Sequence, residues 1–160
     1  MQDNSDFSKK ISIRHFVLSK HDKIDNVADC YAGCGIITKS LWQHVASHVF
    51  CIEKNITKLS QIDCCNVTKI HANNFDCINI IANCEIFDCD AYGLAMPFVK
   101  EIAKSVNKKW VVFSDGTPEK ARKVYSAFKQ FNDNCKSVFS EFYYEQSSAG
   151  NAYYGYGLLK

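Results

Sequence analysis

Apolar runs alternate with helical patterns along most of this chain. Five apolar runs predict buried strands at Val27–Ala32, His48–Glu53, Lys69–Ala72, Glu85–Asp90 and Trp110–Ser114. Apolar positions spaced three or four apart predict helices at about Thr38–Ala46, Ile56–Cys64, Phe75–Ile81, Ala95–Val106 and Thr117–Phe131. This β-α order is typical of an α/β protein with a parallel sheet.

The end of the chain departs from that alternation. Thr117, Pro118 and Glu119 give the last helix a strong start signal, with an N-cap, a first-turn proline and a first-turn carboxylate. After it come two strand-like stretches, Lys136–Glu145 and Asn151–Leu159, with no helix between them. They are expected to pair as an antiparallel hairpin. Residues 1–26 are expected to be a helical or irregular lead-in.

Composition supports one compact domain over residues 1–160. The chain is 47% hydrophobic, which is enough for a single core, and its 19 basic and 17 acidic residues leave a charge of only +2. The polar N-terminus and the lack of a long apolar run predict a soluble, intracellular, cytoplasmic protein with no membrane partner. The nine cysteines are expected to be reduced, and no Cys-x-x-Cys spacing points to a metal site.

The first predicted strand runs directly into a glycine turn. Gly33 and Gly35 follow Ala32, and such small residues let the backbone approach a ligand closely. Glu53 comes about 20 residues later, where a carboxylate accepts hydrogen bonds from ribose hydroxyls. Thr38 replaces the third glycine of a dinucleotide fingerprint, and no phosphate-binding Lys-Ser/Thr pair is present. The loop therefore predicts a ligand that contains adenosine but no phosphates.

Five alternating units and a terminal hairpin resemble the class I S-adenosylmethionine-dependent methyltransferase fold. The resemblance implies a three-layer, Rossmann-like fold with a seven-stranded, mostly parallel sheet and a C-terminal antiparallel hairpin. It also implies the cofactor S-adenosyl-L-methionine. The residues that it assigns to cofactor binding are Asp29, Ala32, Gly33, Gly35, Glu53, Asn73, Asn74, Phe75 and Asp88.

Two details of that assignment stay open. Asn73 and Asn74 stand where the family has an acidic residue that accepts from the adenine amino group, and either amide suits that bond. Phe75 suits packing on the adenine ring and suits a core position equally well.

The fourth predicted strand carries a second motif. The segment Asp88-Cys89-Asp90-Ala91-Tyr92-Gly93, followed by Pro97 and Phe98, resembles the Asp-x-Asp-Pro-Phe/Tyr-Gly-x-x-x-Pro-Phe segment of tRNA guanine-N2 dimethyltransferases, with Ala91 in place of its first proline. A carboxylate that accepts the N–H bonds of an exocyclic amine directs its lone pair toward the methyl donor. The resemblance therefore assigns catalysis to Asp90 and Tyr92, and substrate contacts to Tyr92, Phe98 and Asp115.

These residues favour methylation of an exocyclic amino group of a nucleic-acid base, with RNA guanine-N2 first. The expected substrate is tRNA or other RNA, and DNA stays open. The alternatives are a methyltransferase of DNA, protein or a small molecule, or a non-catalytic cofactor-binding subunit. A homodimer or a partner subunit is considered because no separate recognition domain is expected in a chain of this size.

Basic and aromatic groups offer additional nucleic-acid contacts. Lys9-Lys10 and Arg14-His15 are placed to touch a phosphate backbone, whereas Lys120–Lys123 is typical of a solvated helix face. The tyrosines of the terminal hairpin suit base stacking and suit strand pairing equally well.

Overall fold

The computed structural model describes residues 6–91, 93, 95–116, 124–150 and 152–160, and of residues 124–127 it describes the backbone only. Its strands are β1 (Ile24–Asp29), β2 (Ala46–Ile52), β3 (Val67–Ile70), β4 (Ile86–Cys89), β5 (Trp110–Gly116), β6 (Phe139–Gln146) and β7 (Ala152–Leu159). Its helices are α1 (Phe7–Leu18), α2 (Gln43–Val45), α3 (Ile56–Leu59), α4 (Ile78–Ile81), α5 (Met96–Ser105) and α6 (Val124–Val138). A π-helix covers Thr38–Trp42 and a 3₁₀ helix covers Asn74–Cys77.

All seven strands form one sheet, in the order β3-β2-β1-β4-β5-β7-β6. The first five pair in parallel, and β7 lies antiparallel between β5 and β6. The expected α/β fold, with its mostly parallel sheet and terminal antiparallel hairpin, is confirmed.

The strand order reverses at β1. This strand pairs with β2 on one side and with β4 on the other, and the second pairing sets Asp29 opposite Asp88. Ligands of open α/β sheets bind outside the carboxyl ends of the strands at such a switch point. The topology therefore brings the predicted site residues of β1 and β4 to one edge of the sheet.

Two apolar layers cover the two faces of the sheet, and β5 shows how the sequence divides between them. Val111 and Phe113 pack into the layer that contains α4, α5 and α6. Trp110 and Val112 pack into the layer that contains α1 and the π-helix. Because successive side chains of a strand alternate between faces, a continuous apolar run such as this one is suited to burial on both sides.

Several element boundaries differ from the expectation. The helix after β1 is a π-helix followed by the single turn of α2, and α3 ends at Leu59. α6 continues to Val138, and β6 therefore begins at Phe139 rather than at Lys136. The reason is burial, since Phe131, Cys135 and Val138 recur on one helix face and all three pack into the core. The start signal at Thr117, Pro118 and Glu119 lies outside the described residues, as does Asn151.

The lead-in contains α1, which crosses the sheet above β5 and β7. Its buried face consists of Ile13, Arg14 and Val17. Asp6 precedes the helix with a φ of 66° and makes no side-chain cap. Its carboxylate instead accepts hydrogen bonds from the Ser148 backbone N–H at 2.9 Å and the Tyr154 hydroxyl at 3.0 Å. The start of α1 is therefore fastened to the terminal hairpin.

Among the helices of the described residues, none has both the length and the apolar character that a membrane crossing requires.

Candidate functional site

The loop after β1 has a backbone that only glycine suits. Gly33 and Gly35 have φ values of 55° and 75°, in the left-handed region. A Cβ on Gly35 would lie 2.8 Å from Cγ1 of Ile62, well inside normal contact. The loop is closed by a 2.7 Å bond from the Gly35 N–H to the Ala32 carbonyl, and the Ala32 N–H donates to the Ile52 carbonyl at 3.1 Å. The glycine turn is thus held against the end of β2.

Glu53 ties this loop to the segment after β2. One carboxylate oxygen, Oε2, accepts from the Gly33 N–H at 3.1 Å, and the other, Oε1, accepts from the Asn55 N–H at 2.8 Å. Each carboxylate oxygen can accept more than one hydrogen bond, and the side chain is only half-buried. Glu53 therefore keeps acceptor capacity toward the space above the loop.

The segment after β3 distinguishes the two asparagines. Asn73 Oδ1 accepts from the Phe75 N–H at 3.1 Å and so caps the 3₁₀ helix. Asn74 is only 9% exposed, and its Oδ1 is buried without a hydrogen-bond partner in the described structure. An unpaired buried acceptor is costly, which makes Asn74 the better placed of the two to accept from a ligand N–H.

Phe75 lies beside Asn74 as an exposed aromatic ring. It is 47% exposed and packs edge-on against Phe98, with ring centroids 5.1 Å apart. Phe98 is 1% exposed and also packs edge-on against Tyr31, with ring centroids 5.9 Å apart. This geometry leaves a face of Phe75 open to a planar ligand, while Phe98 supports it from the core.

A buried ion pair lies where β1 meets β4. Arg14 Nε and Nη2 each donate to Asp88 at 2.6 Å, and Trp42 Nε1 donates to the same carboxylate at 2.7 Å. Arg14 and Trp42 are 1% and 0% exposed, and Asp88 is 0% exposed. Both oxygens of Asp88 are therefore committed within the protein. Sequence reasoning assigned Asp88 to the cofactor, and that role stays a prediction.

Asp29 adds a second buried carboxylate next to this pair. Thr38 Oγ1 donates to it at 2.5 Å. Burial raises the pKa of Asp29 to about 7, and the neighbouring Asp88 carboxylate contributes to the rise. Burial would lower the pKa of the Arg14 guanidinium, but the neighbouring carboxylates of Asp88 and Asp90 raise it above its ordinary value. Three carboxyl groups, those of Asp29, Asp88 and Asp90, therefore lie around one fully buried cation, Arg14.

Asp90 follows directly after β4 and lines a small closed cleft that is too narrow to hold a water molecule. Ser114 Oγ lies 2.7 Å from its Oδ1, Lys10 Nζ lies 3.0 Å from its Oδ2, and Arg14 Nη2 reaches the same oxygen at 3.4 Å. Burial would raise the pKa of Asp90, but Arg14 and then Lys10 more than offset it and hold the pKa below its usual value. Asp90 is therefore a carboxylate that stays ionised at neutral pH.

The cleft lies between α1 and the strands β4, β5 and β7. Its walls are formed by Lys10, Ile13, Arg14, Asp90, Val112, Phe113 and Tyr154. The glycine loop lies across the sheet edge from it, since Asp29 of β1 is directly opposite Asp88 of β4. The two halves of the candidate site are therefore adjacent.

Asp115 lies at the end of β5. Its Oδ1 accepts from the Met96 N–H at 3.5 Å, at the start of α5, and burial raises its pKa. The Gly116 N–H donates to the Gly93 carbonyl at 2.7 Å, which ties the end of β5 to the loop after β4. Asp115 is thus engaged in holding this loop region. Tyr92, the other predicted residue of the loop, lies outside the described residues.

Sequence reasoning missed the contribution of α1. Lys10 and Arg14 were assigned to a phosphate backbone, but Arg14 is buried and its guanidinium is used by Asp88. The available signal was spacing, because the two lie four residues apart on the face that carries Ile13 and Val17. Trp42, Thr38 and Ser114 were also missed, and no sequence motif marks them.

The described part of the chain gives little support for a metal site or for disulfide bonds. There, no group of three or more His, Cys, Asp or Glu side chains is placed to hold a metal ion. All nine cysteines are free thiols.

Comparison with known proteins shows the fold. No protein-family model matches this sequence, and no curated protein matches it significantly. Among solved structures, TYW2 of M. jannaschii, in complex with AdoMet, is 12% identical with a TM-score of 0.69 and covers 99% of this chain and 78% of its own. The N-methyltransferase NodS of Bradyrhizobium japonicum WM9 is 10% identical with a TM-score of 0.67, over 99% of this chain and 98% of its own.

A third similar structure is Trm5b of Pyrococcus abyssi. It is 14% identical with a TM-score of 0.63, over 91% of this chain, and this chain spans 47% of its length. At such identities the likeness concerns architecture rather than substrate. This chain therefore has the fold of the class I S-adenosylmethionine-dependent methyltransferases.

Proposed function

We propose that this protein is an S-adenosyl-L-methionine-dependent methyltransferase whose acceptor is an exocyclic amino group of a nucleic-acid base, with RNA guanine-N2 as the first candidate. The observation that carries the proposal is Asp90, an ionised carboxylate that follows β4 at the carboxyl end of the sheet, next to the strand that leads into the glycine loop. In this fold that position lies at the switch point where ligands bind.

The residues around the loop fit the cofactor. The half-buried carboxylate of Glu53 is placed to accept from ribose hydroxyls. Asn74 Oδ1, which has no partner in the described structure, suits the adenine amino group, and the exposed ring of Phe75 suits the adenine face. When bound, S-adenosylmethionine supplies an electrophilic methyl group on a sulfonium. The AdoMet bound in the TYW2 structure supports the same choice.

Asp90 suits an amine acceptor. An exocyclic amine is a weak nucleophile, and a carboxylate that accepts its N–H bonds makes the lone pair more available. Ser114 fixes one oxygen of Asp90, and Arg14 keeps the group ionised inside the fold. The proton released by the amine passes to solvent or to Asp90 after transfer. The N-methyltransferase named among the similar structures is consistent with an amine acceptor.

Three further assignments belong to this proposal. Tyr92 would stack on the acceptor base, and Asp115 would line its pocket. Phe98 is assigned to the substrate, although its buried ring lies under Phe75. The acceptor would be tRNA, other RNA or DNA, and a second copy of the chain or a partner subunit would add recognition surface.

A second candidate is a non-catalytic cofactor-binding subunit. The observation that favours it is the pairing of Asp90 with two cations, Lys10 and Arg14, in place of an acceptor.

Methyl transfer to parallel acceptors tests the proposal. Purified protein and radiolabelled S-adenosylmethionine are incubated separately with total tRNA, single-stranded DNA, duplex DNA and a protein extract. We expect label in RNA, at the N2 amine of guanine after nucleoside analysis. Label confined to DNA or protein would contradict the proposed acceptor, and cofactor binding without label in any sample would favour the second candidate.

A further inference from the structure

Lys10 occupies the side of Asp90 that faces the cleft. Its Nζ lies 3.0 Å from Asp90 Oδ2, and the two side chains are 18% and 16% exposed. Arg14, which contacts the same oxygen, has a side chain that is 2% exposed. Lys10 is therefore the cation of this pair that can be exchanged for a group from solvent.

Lys10 is not required to satisfy Asp90. Ser114 already donates to Oδ1, and Arg14 already lies next to Oδ2. What the ammonium of Lys10 adds is a third hydrogen-bond donor, after the Ser114 hydroxyl and the Arg14 guanidinium, on a carboxylate that an acceptor amine also has to reach. A carboxylate oxygen has two lone-pair positions, and at Oδ2 both are used while Lys10 is in place.

From this geometry we infer that Lys10 holds the position of the acceptor's amino group and competes with it for Asp90. The inference rests on the proposed function and deepens it, because it describes how the acceptor site is closed in the free protein. The acceptor class that it implies is an uncharged amine with N–H groups to donate, and not an anionic group.

The charges of the site support that class. If Lys10 leaves, Arg14 alone faces the carboxylates of Asp88 and Asp90. A phosphate would be repelled by such a cluster, whereas an N–H donor would be attracted. The phosphates of a nucleic-acid acceptor would then lie away from these carboxylates, with only the amine of the base next to Asp90.

The start of α1 is held in place by contacts that do not involve the ammonium of Lys10. It is fastened to the hairpin by polar contacts at the rim, from Asp6 to Ser148 and from Lys9 Nζ to the Gln146 carbonyl at 2.7 Å. One turn later, Ile13 and Val17 are anchored in the core. Lys10 also lies over the ring of Tyr154, 5.6 Å from its centroid, so its departure would uncover part of an aromatic wall.

Binding of a nucleoside pair tests the inference without methyl transfer. Guanosine and inosine differ only in the 2-amino group, and each is titrated into protein saturated with S-adenosylhomocysteine by calorimetry. We expect Lys10→Met to bind guanosine about fivefold more tightly than the wild type, as for loss of one partly exposed ion pair, with inosine unchanged. Lys10→Arg, which restores the competitor, should return guanosine affinity toward the wild-type value.

Lys23→Met is the control, because Lys23 lies in the segment before β1 and its exposed side chain pairs with Asp25 rather than with Asp90. An equal gain for guanosine and inosine, a gain in Lys23→Met, or no guanosine binding to Lys10→Met would each overturn the inference. Its failure is distinct from failure of the proposed function: label in RNA together with unchanged guanosine affinity overturns the inference alone.

Discussion

At the scale of residues, Arg14 organises the charged part of the site. Its guanidinium joins Asp88 to Asp90 from a helix 74 residues earlier in the chain. A buried ion pair gives little net stability, but removal of one partner leaves an uncompensated charge in the interior. The same carboxylates control how the fold responds to pH.

Arg14→Met is therefore expected to lower the free energy of unfolding by about 3–5 kcal/mol, since Asp88 would stay buried without its partner. Arg14→Met combined with Asp88→Asn should recover part of that loss, because the amide still accepts from Trp42. Urea denaturation followed by circular dichroism measures both. A single variant as stable as the wild type would show that the pair has no such role.

Asp29 gives a prediction for pH. Its pKa is raised to about 7 in the folded protein, chiefly by burial, whereas in the unfolded chain it ionises near pH 4. The stability that its protonated form contributes is present at pH 4 and is lost as the pH rises toward 7. Asp29→Asn should thus match the wild type near pH 4 and exceed it by about 4 kcal/mol near pH 8.

Urea denaturation at the two pH values checks this difference. Asp133→Asn, at an exposed position of α6, serves as the control and should show no pH-dependent gain. A constant difference between Asp29→Asn and the wild type at both pH values would contradict the raised pKa.

At the scale of elements, the loop after β1 depends on its anchor. Glu53 holds the Gly33 N–H on one oxygen and the Asn55 N–H on the other, and so fixes the loop before any ligand arrives. A prearranged loop lowers the ordering cost of binding. The cofactor half of the site is thus built from local contacts, whereas the acceptor half requires α1 to cross the sheet.

Glu53→Ala should weaken binding of S-adenosylmethionine by about 2–4 kcal/mol, through loss of charge-assisted bonds and of the loop anchor. Glu53→Gln, which keeps one acceptor oxygen, should lose less. Calorimetry measures both, with Glu101→Ala on α5 as the control, where the carboxylate pairs with Lys104. Unaltered affinity in Glu53→Ala would show that the ribose site lies elsewhere.

At the scale of the whole molecule, the features that could be predicted from the sequence are the strands and turns that short stretches of neighbouring residues determine. The continuous apolar run from Trp110 identified a strand buried on both faces, and the glycines after β1 identified the turn at the switch point. Asp90 was assigned because the segment after the fourth predicted strand resembles a methyltransferase motif, and its role stays a prediction. Arg14 was not, because its partner is distant in sequence and a charged residue on a helix normally faces solvent.

The most direct test of the account compares cofactor binding and methyl transfer in the same samples of wild-type, Asp90→Asn and Asp133→Asn protein, with RNA as acceptor. We predict that all three bind S-adenosylmethionine with similar affinity, and that Asp90→Asn alone loses transfer by a factor of about 10² or more, because an amide cannot replace the ionised acceptor. Transfer by Asp90→Asn at the wild-type rate would contradict the central role of Asp90.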